Sequence, residues 1–171
     1  MRISLLPLAT AFGLVVFGSV FEAGDSPVTS EYAKHIDALR DLTVAVAEAM
    51  PDEKYGYRPH PDSMTFGELM IHIAQSDNQF CHGLLNEATP AAAKPEGKQA
   101  ILQALKETFA FCSTVIGELT EPQLDAVHDS PDGKLPGREL LLAMFVHVAH
   151  HRGQAEIYLR NNGIVPPQYR I

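Results

Sequence analysis

Two histidines, His147 and His151, lie four residues apart in an apolar stretch that runs from Leu140 to Gly163. If this stretch is a helix, with about 100° of rotation per residue, the two side chains project from the same side, one turn apart. Imidazoles at this spacing can place two nitrogens on one metal ion. Two core histidines held by hydrogen bonds would show the same spacing, so the pair alone leaves both interpretations open.

The other residues of this stretch separate into two faces on a helical wheel. The face that carries the two histidines also carries Leu140, Met144, Gln154 and Tyr158. The opposite face carries Arg138, Arg152, Glu156 and Arg160. We therefore expect the histidine face to point into the core and the charged face to point into solvent.

A third histidine, His72, lies in another helical stretch, whose start is predicted by the capping-box pattern of Thr65 and Glu68. The apolar stripe of this stretch consists of Phe66, Leu69, Ile73, Phe80 and Leu84. His72 lies beside the stripe, next to small or polar residues such as Ser76 and Gln79, which is the lining that a cavity at the edge of a core requires. On its own, a histidine in this position is more often structural than a metal ligand.

Four stretches with helical periodicity define the architecture, at residues 32–50, 65–84, 102–119 and 140–162. The segments between them, 51–63, 86–97 and 121–136, are rich in Pro, Gly or Ala and are predicted to be long loops. Connections of this length let neighbouring helices run parallel. The sequence shows no repeat, no second domain and no β-hairpin signal. We predict an all-α four-helix bundle with long inter-helix connections over residues 28–171.

The composition narrows the classes of partner. The 171 residues are enough for one domain with a core, and they carry a formal net charge of −8 without a cluster of Lys and Arg. Proteins bind nucleic acids by neutralising phosphates with clustered basic side chains, so we expect no nucleic-acid partner. The eight histidines are more informative, because imidazole is the commonest metal ligand.

The first 24 residues are predicted to be separate from the domain. Arg2 is followed by an almost uncharged apolar run, which is typical of a secretory signal peptide. An uncleaved membrane anchor is the alternative, although the run is near the lower length limit for crossing a bilayer. We expect export to the periplasm or the exterior if the signal is functional, and a cytoplasmic protein otherwise. Membrane contact is expected only if this segment is retained.

The two cysteines, Cys81 and Cys112, do not form a CxxC motif, which excludes a zinc knuckle and a thioredoxin-like redox site. Each lies in the later part of its predicted helix, and the connection between those helices is long enough for them to run parallel. An even number of cysteines in an exported chain favours a disulfide between them. Two buried free thiols are the alternative.

Three features together resemble the DinB/YfiT-like family of metalloenzymes: the segment SMTFGELMIHIAQ around His72, the His147–His151 pair, and the ending HHRGQAEIYLRNNGIVPP. The likeness covers about residues 30 to 168, and its most specific part is the HxxxH followed by RGQ. The resemblance implies a four-helix bundle that holds one divalent metal ion per chain with three histidines. Carried over to this sequence, the ligands are His72, His147 and His151. His150 is aimed less well on the helical wheel and is not included.

The resemblance implies a zinc-type site in which three neutral imidazoles leave at least one position free for a substrate. Imidazole also suits nickel and iron, so the sequence does not select among zinc, nickel and iron. The residue after His147 is Val148, so the glutamate of the HExxH metalloproteases is absent and no catalytic residue is identified. The polar residues expected nearest the ligands are Gln154, Gln79 and Tyr158.

Two functions remain open from the sequence. The first is a metal-dependent transferase or hydrolase of a small molecule; some members of the family are similar to thiol S-transferases, in which the metal lowers the pKa of a thiol. A signal peptide argues against that chemistry, since such thiols belong to the reducing cytoplasm. The second is a non-catalytic protein that binds metal or forms a homodimer through a helix face. A pocket leading to the metal would favour an enzyme, and a sealed site would favour a structural role.

Overall fold

The computed structural model describes residues 27–91, 94–130 and 133–169, which form five α-helices and one pair of β-strands. The helices are α1 (Pro27–Ala49), α2 (Phe66–Leu84), α3 (Gly97–Glu118), α4 (Glu121–Asp125) and α5 (Gly137–Asn161). The strands are β1 (Val127–Ser130) and β2 (Gly133–Pro136), and a 3-10 turn spans Asp52–Lys54. The predicted signal segment, residues 1–24, lies outside the described residues.

The start of α2 is fixed by the capping box that the sequence predicts. The hydroxyl of Thr65 accepts a hydrogen bond from the backbone N–H of Glu68 at 3.1 Å, and the carboxylate of Glu68 accepts one from the N–H of Thr65 at 2.6 Å. Two of the backbone donors that a helix start leaves without a partner are thereby satisfied. Because α2 carries His72, this cap sets where the first imidazole lies along the bundle.

Contacts between side chains give the directions of the long helices. A Cβ atom at Gly67 in α2 would lie 3.4 Å from Ile101 in α3, and Cys81 further along α2 is bonded to Cys112 further along α3, so these helices run parallel. In contrast, α5 runs antiparallel to α2, since Phe66 lies near Tyr158 and Gly83 lies near Leu140. The remaining long helix, α1, runs antiparallel to α3: Glu48 forms an ion pair with Lys106, and the hydroxyl of Ser113 donates a hydrogen bond to the carboxylate of Asp37.

The core lies between the four long helices and is made of their apolar stripes. Its largest fully buried side chains include Ile36, Met50, Phe66, Ile73, Phe109, Ile116 and Leu140. Burying each such side chain contributes roughly 1.5–3 kcal/mol relative to leaving it in water. Across the described ranges, no helix contains a stretch long and apolar enough to cross a bilayer.

The disulfide joins α2 to α3 inside this core. Cys81 and Cys112 are bonded to each other, and their Cα atoms are 5.7 Å apart, within the range that a disulfide permits. Both side chains are fully buried. The bond therefore holds together the two parallel helices, one of which carries His72.

The segment 121–136 differs from its prediction as a loop without a hairpin. It contains the short helix α4 and the antiparallel pair β1–β2, in which Val127 pairs with Pro136 and His128 pairs with Leu135. The strands have only four residues each and are mostly polar, so they give no alternating pattern to detect. A turn signal was present in Ser130-Pro-Asp-Gly133, because Pro-Asp-Gly favours a tight turn. The last helix also begins earlier than predicted, at Gly137.

His128 holds this hairpin against the bundle. Its Nδ1 lies 3.1 Å from the backbone oxygen of Gly83, in the last turn of α2, and its Nε2 lies 2.8 Å from the backbone oxygen of Gln123 in α4. The side chain of Asn86 is a further partner at 3.2 Å. His128 is 1% exposed, so these contacts are shielded from water. One buried ring therefore ties three elements together.

Arg152 corrects the prediction that its face of α5 points into solvent. The residue is only 8% exposed. Its guanidinium lies 3.4 Å from the carboxylate of Glu156 and 5.1 Å from the centre of the Tyr169 ring. Val148 and Ala155, one turn before and after Arg152 on α5, are fully buried, so the buried face of the helix extends as far as the arginine, and Tyr169 of the C-terminal segment contacts it there.

Candidate metal centre

Three imidazoles meet where α2 faces α5. Nε2 of His72 lies 3.1 Å from Nε2 of His151 and 3.1 Å from Nε2 of His147. The ring centres of the three residues are 4.4–4.9 Å apart. His147 and His151 are one turn apart on α5, and the antiparallel α2 brings His72 opposite them. These are the three residues that the resemblance nominated as ligands.

The spacing of the nitrogens fits a metal ion. Zinc–imidazole bonds of about 2.0–2.1 Å in a tetrahedral site imply nitrogen–nitrogen distances of roughly 3.3 Å. The observed distances of 3.1 Å are close to that value. The three residues are also a group whose ligand atoms all lie within 4.8 Å of one another. The donor set can therefore hold a divalent ion, and imidazole nitrogens alone do not determine which one.

Burial and mutual repulsion favour the neutral form of two of these imidazoles, which is the form that a metal requires. Desolvation, followed by the neighbouring histidines, lowers the pKa of His147 to about 4. Desolvation, followed by His151, also lowers the pKa of His72. A neutral imidazole has a free lone pair, whereas a protonated one cannot bind a metal. At neutral pH the fold thus presents ligands that need not lose a proton first.

Gln154 orients one of the ligands. Its side-chain oxygen lies 2.8 Å from Nδ1 of His151, and since a carbonyl oxygen only accepts, Nδ1 carries the proton. The lone pair of His151 is then on Nε2, which faces the other two histidines. The amide nitrogen of Gln154 donates to Nε2 of His150 at 3.0 Å. His150 itself is exposed and is not one of the three converging residues.

The other two polar residues expected near the ligands occupy different positions. The hydroxyl of Tyr158 donates to the backbone oxygen of Met64 at 2.9 Å, so it binds the connection before α2 and not a histidine of the site. Gln79 is exposed and lines a cavity next to His72 and His147. His147 has no outer partner comparable with Gln154, because its Nδ1 is buried without a hydrogen bond to any residue that the structure describes. Phe80 packs near its ring, with the ring centres 5.8 Å apart.

A cavity of about 580 Å³ opens onto His72 and His147, and we call it the wide cavity. Phe80 and Leu140 supply apolar surface, and Ser76 and Gln79 supply polar groups. Ligand sites in proteins have similar volumes and the same mixture of apolar surface with a few polar groups. The group of His72, His147 and His151, which we call the triad, is therefore accessible to a small molecule and is not sealed.

Part of the wall of the wide cavity comes from residues that the sequence did not indicate. Asp129 and Ser130 of β1 line it, as do Glu87 and Thr89 of the segment after α2. Nothing in their spacing marks them, and the positions of Asp129 and Ser130 depend on the hairpin and on His128, which holds it against the bundle. The turn signal in the Pro-Asp-Gly sequence was the one local feature that could have indicated a hairpin near the site.

Comparison with known proteins agrees with this architecture. YjoA of Bacillus subtilis (strain 168) is 31% identical to this chain over 140 residues, which cover 79% of this chain and 91% of YjoA. The crystal structure of the DinB-like YjoA aligns with a TM-score of 0.69 at 26% identity, over 82% of this chain and 98% of that one. A DinB-like protein from Bacillus cereus ATCC 10987 aligns with a TM-score of 0.72 at 19% identity, over 82% and 97% of the two chains, and shares the fold.

The family model of the DinB superfamily matches residues 35–155, a range that includes all three histidines and most of the bundle. This match, and the likeness to YjoA over most of both chains, agree with the resemblance seen in the His72 segment and in the HxxxH-RGQ ending. The chain belongs to the DinB superfamily.

Proposed function

We propose that this protein is a metal-dependent enzyme that acts on a small molecule. The observation that carries the proposal is the wide cavity, which reaches two of the three converging histidines. Structural zinc sites are closed by four protein ligands, whereas catalytic sites have three and keep a position open. A three-histidine donor set next to a cavity of about 580 Å³ has the second arrangement.

The residues have separate roles in this proposal. His72, His147 and His151 hold one divalent ion, and Gln154 keeps His151 in the correct tautomer. Phe80 binds the apolar part of the substrate at the wall of the wide cavity. When bound, the ion would supply Lewis acidity, which lowers the pKa of a coordinated water or thiol. We propose zinc, nickel or iron as the ion, since all three suit imidazole ligands.

The reaction class follows from the site and from the resemblance to the family. The buried Val148 follows His147, so the base of the HExxH metalloproteases is absent and peptide hydrolysis by that mechanism is not favoured. Transfer of a thiol to an electrophile, or hydrolysis of a small ester, remains compatible with three histidines and an open cavity. We propose a transferase or hydrolase of this kind.

We also propose that the enzyme works outside the reducing cytoplasm. The disulfide between Cys81 and Cys112 supports this location, because disulfides form and persist mainly in oxidising compartments. The apolar start of the sequence supports it independently. In such a compartment a thiol substrate would have to be a thiol that is present outside the cytoplasm.

An activity screen on defined metal forms tests the proposed function. The chain from residue 25 to residue 171 is freed of metal with a chelator. It is then reloaded separately with zinc, nickel or iron. Each form is assayed with small aryl esters and with a thiol plus an aryl electrophile. We expect one metal form to be active and the stripped protein to be inactive. A protein that binds metal at the triad and shows neither activity in any form would support the non-catalytic alternative.

A further inference from the structure

A second cavity reaches the histidines from the other end of the bundle. It has a volume of about 430 Å³ and lies between the connection before α2 and the C-terminal half of α5. Ser63 and Met64 line it from the connection, and His151, Ile157 and Tyr158 line it from α5. We call it the loop cavity. It touches the triad at His151, whereas the wide cavity touches the triad at the other two histidines.

The order of residues along α2 and α5 shows that the triad separates the two cavities. The wide cavity is lined by residues between 72 and 83 of α2 and by residues 140 and 147 of α5. The loop cavity is lined by residue 69 of α2 and by residues between 151 and 158 of α5. Because α2 and α5 are antiparallel, these two sets lie at opposite ends of the helix pair. Within the described part of the chain, no residue lines both cavities.

The lining of the loop cavity suits an uncharged group. Met64, Leu69 and Ile157 supply apolar surface, and the hydroxyls of Ser63 and Tyr158 supply neutral polar contacts. Burial raises the pKa of Tyr158, which keeps that hydroxyl protonated. The charged member of the lining, Asp62, has a side chain that is 92% exposed and is directed largely to solvent. Neither Lys nor Arg is among the lining residues that the structure describes.

The wide cavity has a different character. Its lining contains the carboxylates of Glu87 and Asp129, and again neither Lys nor Arg among the residues described. Each carboxylate has one basic neighbour, His82 for Glu87 at 3.2 Å and Lys134 for Asp129 at 2.7 Å. The two side chains are 58% and 86% exposed, so these carboxylates lie at the mouth of the cavity, where their oxygens have room to accept from the ammonium group of a ligand held inside it. The two cavities thus differ in the ligand that each would prefer.

We propose that the loop cavity is a second ligand subsite, which binds an uncharged, largely apolar group while another ligand occupies the wide cavity. The proposal rests on the proposed function, since it takes the three histidines as the reaction centre between the two ligands. Simultaneous occupation from two ends would bring two organic substrates together at the histidines. Hydrolysis requires only one organic substrate and water, for which one cavity is enough.

Two small probes test the proposal on the cobalt-loaded protein. Cysteamine carries an ammonium group and a thiol, and its binding is followed by the thiolate-to-cobalt absorption band. Benzyl alcohol is uncharged and largely apolar, and its binding is followed by the NMR shift of the Ser63 backbone amide. If both cavities are subsites, saturating benzyl alcohol should leave the cysteamine affinity within about twofold of its original value. Displacement of one probe by the other would overturn the proposal.

Matched variants assign each probe to its cavity. Ile157→Trp fills the loop cavity and Gln79→Trp fills the wide cavity, both at exposed positions where a larger side chain can be accommodated. Leu142→Trp, at an exposed position of α5 that lines neither cavity, is the control for adding an indole. We expect Ile157→Trp to lower the affinity for benzyl alcohol by about tenfold or more and to leave the affinity for cysteamine unchanged. Gln79→Trp should lower the affinity for cysteamine to the same extent and leave that for benzyl alcohol unchanged. Equal losses of both probes in either variant would contradict separate subsites.

The metal content of the same samples separates this inference from the proposed function. A protein that takes up no cobalt refutes the metal centre. In that case the NMR titration of the metal-free protein with benzyl alcohol decides by itself whether the loop cavity binds this probe. A shift at Ser63 that Ile157→Trp abolishes supports the subsite even in that case. A protein that binds cobalt at the triad and shows no response at Ser63 refutes the subsite and leaves the metal centre standing.

Discussion

Nδ1 of His151 lies 2.8 Å from the side-chain oxygen of Gln154, while Nε2 of the same ring lies 3.1 Å from Nε2 of His72. One side of the imidazole is thus held by an amide and the other side faces the proposed metal position. We expect Gln154→Leu, which cannot accept this bond, to weaken metal affinity by roughly 10–100-fold. Gln154→Glu, which keeps an acceptor, should lose less. Titration with a competing chelator measures both, and equal affinities for wild type and Gln154→Leu would refute the orienting role.

Removing a proposed metal ligand should lower the metal affinity more than removing the hydrogen-bond partner of that ligand. In His147→Ala and His151→Ala, metal affinity should fall by more than the roughly 10–100-fold expected for an outer hydrogen bond. His150→Ala is the matched control, because His150 neighbours His151 but lies outside the converging group, and it should retain about one ion per chain. Elemental analysis after dialysis measures the content. Full occupancy in both ligand variants would show that the ion is held elsewhere.

The low pKa of His147 predicts an acid-sensitive metal-free fold. The pKa is lowered to about 4 in the fold from the ordinary 6.5, so between these values the unfolded chain binds more protons than the folded one. The stabilising contribution is fully present above about 6.5 and is lost as the pH falls towards about 4. Urea unfolding of chelated protein across this range measures the slope. His147→Asn should flatten it, and an unchanged slope in that variant would assign the acid sensitivity to other groups.

Asp77 predicts a gain of stability on substitution. The residue is fully buried in α2, and neither carboxyl oxygen has a hydrogen-bond partner among the described residues. Burial raises its pKa well above the usual range, so the unfolded chain loses this proton more readily than the folded one as the pH rises. Asp77→Asn should therefore raise the free energy of unfolding at pH 7, and the difference should vanish as the pH approaches about 4. Asp62→Asn, at an exposed position, should have no such effect.

The disulfide predicts both a chemical and a thermodynamic result. Denatured, unreduced protein should present no free thiol to a labelling reagent. Cys112→Ala should lower the free energy of unfolding by about 3–4 kcal/mol in the chain-entropy model, since the bond closes a loop over a separation of 31 residues. Labelling of two thiols in protein prepared from an oxidising compartment would refute the bond.

The sequence predicted the features that depend on local patterns. Thr65 and Glu68 marked the start of α2 because a capping box is a contact between residues three positions apart. The recurrence of apolar residues at helical spacing marked the four long helices, and the single-turn spacing of His147 and His151 placed both on one face. The position of His72 opposite them was not in these patterns; it came from the resemblance to the family.

The features that depend on contacts between distant segments were not predictable. Asp129 reaches the wide cavity because His128 binds oxygens of α2 and α4, and no pattern near residue 129 records those contacts. Arg152 is buried and contacts Tyr169, which lies beyond the end of α5. A helical wheel treats a helix as isolated, so it assigns such a residue to solvent. The same limitation hides the loop cavity, which needs the connection before α2 to lie beside the end of α5.

The separation of the candidate ligands along the chain has a consequence for how the protein would acquire the proposed ion. His72 and His151 are 79 residues apart, so a chain still leaving the ribosome has no donor set until its last helix has been synthesised. The proposed ion would therefore be chosen after synthesis, by the compartment in which folding is completed and by the metals that are free there. Producing the same chain in two compartments should yield proteins of one fold carrying different elements.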